Sequence, residues 1–241
     1  MNGKTCFLRE ERWQQVIQAA IHNDPLVPPD LAHLVIKLWA RLGKGPDLFK
    51  ATEDLILSPM HAPIEAREDL ITLLVKEQEN LKTWLLLAEQ YRYGPTYNNW
   101  RGLATGALAL LRNYKDEKAS AEQQMTWRIL QGTYVLCCLV KMRLLYALSP
   151  SQFPELEATC QTLASEVMTV SLDSAIPNHE KLVGALFMSE VVWMAKAVIE
   201  TKDIWSEGLG DASLGECRED RGMIEQWKFK AWCKAIGRRV L

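Results

Sequence analysis

Net charge is nearly absent from this sequence: 28 Lys and Arg stand against 30 Asp and Glu, a formal net charge of −2 over 241 residues. Such a balance supplies no global field to hold a polyanion, so direct nucleic-acid binding is disfavoured. Histidine is scarce as well. His22, His33, His61 and His179 stand far apart, without the His-Glu-x-x-His spacing that sets two imidazoles on one helix face. The paired Glu-x-x-His segments of a di-iron bundle are also missing. Six cysteines, Cys6, Cys137, Cys138, Cys160, Cys217 and Cys233, show no paired spacing. They are read as reduced thiols that pack as small apolar residues, not as a disulfide framework or zinc site.

Long apolar runs are equally missing where they would matter. The stretch Met1 to Arg12 carries Lys4, Arg9, Glu10, Glu11 and Arg12, which is unlike a secretory leader and predicts an intracellular protein, nuclear or cytoplasmic. The longest apolar stretch, Tyr134 to Leu148, is shorter than the ~20 residues of a membrane span and is interrupted by Lys141 and Arg143. It is expected to be a buried helix.

Catalytic signatures fail one after another. No Gly-x-Ser-x-Gly elbow is present. Gly43-Lys44-Gly45-Pro46 is too short for a phosphate loop, and the glycine-rich Gly208 to Gly215 follows no strand. Glu53–Asp54 and Glu219–Asp220–Arg221 do not make a magnesium-binding aspartate motif and are expected to be exposed charge. No catalytic, cofactor-binding or metal-ligating residue is therefore assigned. The chain is expected not to be an enzyme.

What is present is helix. With 48% hydrophobic residues the chain can bury a sizeable core. Pro25, Pro28 and Pro29 close a first helix at Cys6 to His22, and Asp30 is read as the N-cap of a second that runs to Leu42. Gly43, Gly45 and Pro46 end it before a short helix at Asp47 to Leu57. From Pro63 to Arg92, Ile64, Ile71, Leu74, Val75, Gln78, Leu81, Leu85 and Ala88 recur on one face, opposite Glu68, Lys76, Glu79 and Lys82.

Further helices are predicted at Trp100 to Tyr114, Ala119 to Leu148, Pro154 to Val170, His179 to Lys202 and Arg218 to Ile236. Ser171 to Asn178 is expected to be a loop. The pattern is all-α: one domain, residues 1–241, an irregular bundle of about eight to nine helices around a central apolar helix. Within it, 203–216 is expected to be a mobile loop and 217–241 a peripheral, basic, amphipathic helix. In that last segment Lys228, Lys230, Lys234, Arg238 and Arg239 interleave with Trp227, Phe229, Trp232 and Ile236. Trp227 and Trp232 are expected to pack on the bundle while the lysines stay solvated. Nine tryptophans in all suit core packing for the most part, with a ligand pocket or interface as the other use.

One stretch resembles a known family. The run from Trp127 to Val170, WRILQGTYVLCCLVKMRLLYALSPSQFPELEATCQTLASEVMTV, followed by SLDSAI at Ser171 to Ile176, is similar to the carboxy-terminal regulatory region of fungal binuclear-zinc-cluster transcription factors. In that family a long helix ends near a leucine-serine-proline turn, and a further helix leads to a serine-leucine-aspartate loop. Glu65 to Leu87, EAREDLITLLVKEQENLKTWLLL, resembles the leucine-rich segment of the same proteins. The family's DNA reader is six cysteines in a short basic stretch, and here only Cys6 lies near the N-terminus. The resemblance thus implies a regulator-like chain without its zinc-cluster module, and it carries over no individual functional residue.

Three functional expectations follow. The first is a non-catalytic regulatory or protein-interaction domain acting through a partner or self-association. The second is a small-molecule-binding helical protein, or an enzyme, with a Trp-lined pocket and polar groups such as Tyr91, Tyr97 or Arg101. The third is a helical-repeat scaffold, which requires regular antiparallel pairs and a concave face.

Overall fold

A computed structural model describes residues 10–23, 29–57, 64–93, 121–173, 181–206 and 218–237. The fold is all-α, and the described residues hold no strand. In chain order the helices are α1 (Glu11–Asn23), α2 (Pro29–Gly43), α3 (Gly45–Leu57), α4 (Ile64–Tyr93), α5 (Ala121–Leu148), α6 (Glu155–Asp173), α7 (Lys181–Glu200), α8 (Lys202–Ser206) and α9 (Arg218–Ala235).

The apolar helix lies at the centre. From Leu130 to Leu148 every residue of α5 is buried except Leu136 and Val140, which are half-buried. A helix apolar on all sides must be covered on all sides. Here α2, α3, α4, α6, α7 and α9 all pack against it. Among the described residues the covers come from both ends of the chain, which differs from the neighbour-on-neighbour stacking of a repeat array. The apolar segment is longer than the expected Tyr134 to Leu148: Trp127 to Leu148 is long and apolar enough, by length and composition, to cross a membrane. Most of it is instead buried against protein.

Lys141 and Arg143, which interrupt the apolar run, are buried too. Each meets a carboxylate in the interior, as required where an unpaired buried charge would cost roughly several kcal/mol. Lys141 Nζ donates to Glu77 on α4 at 3.1 Å. Arg143 makes a two-pronged contact with Glu157 on α6 and lies over the Trp205 ring, 4.6 Å from its centroid. Gln161 Nε2 then donates to Glu157 at 2.8 Å and to the Val198 carbonyl at 2.9 Å, so one network joins α5, α6, α7 and α8.

Several boundaries differ from expectation for identifiable reasons. Pro29 opens α2, so Asp30 sits inside its first turn and not at the cap. Pro46 does not end α2 but occupies the first turn of α3, where its missing N–H has no partner to lose. Only Lys44 separates the two helices, and its carbonyl accepts from Leu48 N–H at 3.1 Å. Ser171 to Asp173, expected to begin a loop, extend α6 instead. The stretch 202–206 is helical with Trp205 buried, so the first part of the expected mobile loop is ordered against Tyr146, ring to ring at 5.8 Å. Residues 207–217 lie outside the described set, as does the helix expected at Trp100 to Tyr114.

The C-terminal helix packs one face into the bundle. Phe229, Trp232 and Cys233 of α9 are completely buried, and Trp232 stacks on Phe49 of α3 at 5.3 Å. Lys230 and Lys234 are exposed, as amphipathic spacing predicts, but Trp227 is 49% exposed and does not pack as expected. On α4 the expected stripe holds at Leu74, Leu81, Leu85 and Ala88, and Glu68, Lys76 and Glu79 face solvent. The surprise on that helix is Glu77, a buried carboxylate one residue from the apolar stripe.

Candidate functional site

The two half-buried positions of α5 mark a gap in its cover. Leu136, Cys137, Val140, Lys141 and Leu144 recur at helical spacing and floor a cavity of about 520 Å³. One wall is the end of α2 and start of α3, through Arg41, Leu42, Gly45, Pro46, Leu48 and Phe49. Glu190, Trp193 and Met194 on α7 form the other, and Ile236 and Gly237 close it beyond the end of α9. Its size and largely apolar lining are those of a small-molecule site.

Local sequence explains each wall. Met194 follows Glu190 by one helical turn, which sets both on the same face of α7. Gly43 and Gly45 bracket the short α2–α3 junction and present no side chain there. At the far corner Gly237 adopts a left-handed φ of +66°, closing α9 with its N–H on the Lys234 carbonyl at 2.9 Å. A Cβ at Gly237 would stand 2.8 Å from Cζ2 of Trp193, so glycine is required both by conformation and by that close approach.

One end of the cavity is cationic. Glu77 receives Arg41 Nη1 at 3.0 Å, Lys44 Nζ at 2.9 Å and Lys141 Nζ at 3.1 Å, with Asn80 Nδ2 at 3.3 Å. Three cations therefore converge on one carboxylate, and two of them, Arg41 and Lys141, also line the cavity. Burial alone would raise the Glu77 pKa. The Lys44 hydrogen bond and the Lys141 and Arg41 charges outweigh it, and the value falls from 4.5 to about 2. Cys137 moves the other way, since burial pushes its thiol up to about 11 against the pull of Lys141.

The residues singled out from sequence are distributed differently. Trp193 is the one cavity-lining tryptophan among those described. Trp84, Trp205 and Trp232 are core, Trp39 and Trp127 half-buried. Tyr91 lies against Trp127 at 6.0 Å and takes no part in the cavity, while Tyr97 and Arg101 lie outside the described residues. Glu53, expected to be exposed, is buried on α3, whereas its neighbour Asp54 is exposed and pairs with Lys50 at 2.6 Å. His33 is exposed. Cys137, Cys138, Cys160 and Cys233 are free, buried thiols. No cluster of metal-ligating side chains occurs among the described residues.

Sequence reasoning missed Arg41, Lys44, Glu77, Lys141 and Glu190 as a group. Their separation in sequence hides the convergence: Lys141 and Glu77 are 64 residues apart. One signal was available, two cations inside an otherwise apolar run, which demands buried carboxylates elsewhere in the chain. Neither a protein-family model, nor a curated protein, nor a solved structure matches this chain, so the cavity must be interpreted from its own chemistry.

Proposed function

We propose that this chain is a non-catalytic regulatory domain that senses a small apolar molecule. The observation that carries the proposal is the concave apolar site floored by Leu136, Val140 and Leu144, where Leu136 and Val140 are the two positions that the cover of the central helix leaves half-buried. Apolar surface left open in a concave, largely preformed site is stabilised by an apolar occupant. The regulatory half of the reading rests on the similarity of Trp127 to Val170 to the fungal transcription-factor region.

Glu77, held by two lining cations, and Cys137, in the lining itself, support a binding role over acid–base chemistry. Glu77, with a pKa of about 2, stays ionised and is a poor proton acceptor near neutrality. Cys137, raised to about 11, stays a thiol and is a poor nucleophile. The test is saturable binding of a neutral fluorescent probe, 1-aminoanthracene, to the full chain and to Val140→Trp, which fills the cavity floor. Binding that is lost in V140W supports the reading. Equal binding by both proteins, or none by the wild type, overturns it.

A protein-facing surface is the second reading, favoured by Trp227, a large aromatic side chain that α9 leaves 49% exposed. Sedimentation velocity of the wild type and Trp227→Ala tests self-association through it. A monomer at every concentration in both removes that form of the reading.

A further inference from the structure

We infer that the cavity takes an amphipathic monoanion, a single carboxylate head on an unbranched apolar tail, with Arg41 meeting the head. This rests on the cavity reading above and adds the chemistry of the ligand. The head is assigned by charge. Arg41, Lys44 and Lys141 bring three positive charges to Glu77, which offsets one of them. With Glu190 on the opposite wall counted as well, one positive charge remains in excess, and at the edge of an apolar pocket it favours an incoming monoanion.

Arg41 is the member able to reach a ligand. It lines the cavity, its side chain is 28% exposed, and among the described residues it spends only Nη1 on Glu77. A planar guanidinium with remaining donors suits a carboxylate, which can accept two of them. Lys141 is almost wholly buried with its ammonium on Glu77, so it contributes field more than contact.

The tail is assigned by the rest of the lining. Leu136, Val140, Leu144, Phe49 and Met194 offer hydrocarbon along the floor and both walls. A straight chain of about ten carbons is stabilised there by each methylene it buries. Glu190, exposed on the α7 wall, restricts the ligand to one negative charge, since the second carboxylate of a diacid would meet it unfavourably.

Isothermal titration of the full chain with decanoate, decanol and decylammonium at pH 7.5 tests the assignment, alongside the variants Arg41→Gln and Val140→Trp. Decanoate is expected to bind 1:1, at least tenfold tighter than decanol. R41Q should weaken decanoate tenfold or more and leave decanol within twofold, and V140W should abolish both. Equal affinity for decanoate and decanol overturns the head-group assignment and leaves the cavity reading intact. Tighter binding of decylammonium overturns it in favour of Glu190. Binding of none of the three, or unchanged binding in V140W, overturns the inference together with the cavity reading. Should R41Q fail to fold by circular dichroism, the three-ligand comparison on the wild type still decides.

Discussion

Lys141 of α5 donates from Nζ to Glu77 Oε2 of α4 across 3.1 Å, and both side chains are 2% exposed. Because Arg41 and Lys44 share the same carboxylate, the node pins α2, the α2–α3 junction, α4 and α5 at the cationic end of the cavity. It also makes the fold acid-sensitive in a defined window. The folded pKa of Glu77 lies below its ordinary 4.5 at about 2. Its contribution is therefore full above pH 4.5 and lost as pH falls toward 2. The shift corresponds to about 3 kcal/mol. Urea unfolding between pH 5 and pH 2 should show a shallower pH dependence for Glu77→Gln than for the wild type. Parallel curves would mean that Glu77 is not the group titrating.

Removing Arg143 should be among the costliest single changes. Its guanidinium is fully buried on Glu157 and over Trp205, and truncation strands the Glu157 carboxylate in the interior. Arg143→Ala is expected to lose about 3–5 kcal/mol in denaturant unfolding. The double variant Arg143→Met with Glu157→Leu should lose clearly less, because the pair leaves together and apolar volume replaces it. A double variant worse than R143A would contradict a desolvated ion pair at this place.

Gly237 is expected to resist any side chain. Gly237→Ala must hold a left-handed backbone, at about 1–2 kcal/mol, and push its methyl into Trp193. In the background Trp193→Ala the penalty of G237A should shrink toward the backbone cost alone. Identical penalties in both backgrounds, read by thermal melts, would show that the ring does not press on this turn.

The thiols at the centre of α5 should be inert until the protein opens. Burial raises Cys137 to about 11 and Cys138 further still. Iodoacetamide at pH 8 should alkylate the peptide carrying both at under a tenth of its rate in 8 M urea, measured by mass spectrometry. Comparable rates would mean that this stretch of α5 is open to solvent.

The sequence made α5 legible because its apolar side chains surround the axis, and only the middle of a bundle accommodates such a helix. The same chain concealed the cavity, since a missing neighbour leaves no mark on the residues that lack it. Leu136 and Val140 look like every other apolar position of α5. Lys141 and Arg143 looked like interruptions because their partners, Glu77 and Glu157, lie on other helices, outside the apolar run in the sequence. Trp227 and Trp232 carry equal hydrophobic weight in sequence. Only the packing of α9 on Phe49 decides that Trp232 goes inside and Trp227 stays out. Gly45 and Pro46 signalled a break correctly, but a break between helices and the first turn of the next one use the same residues.

The floor of the cavity is the centre of this account, and its occupation is read most directly by contacts between a bound probe and named methyl groups. In protein with labelled Leu, Val, Ile and Met methyls, 1-aminoanthracene should give intermolecular NOEs to Leu136, Val140, Leu144 and Met194. NOEs confined to exposed apolar residues elsewhere, such as Leu73 of α4 or Val16 of α1, would contradict it.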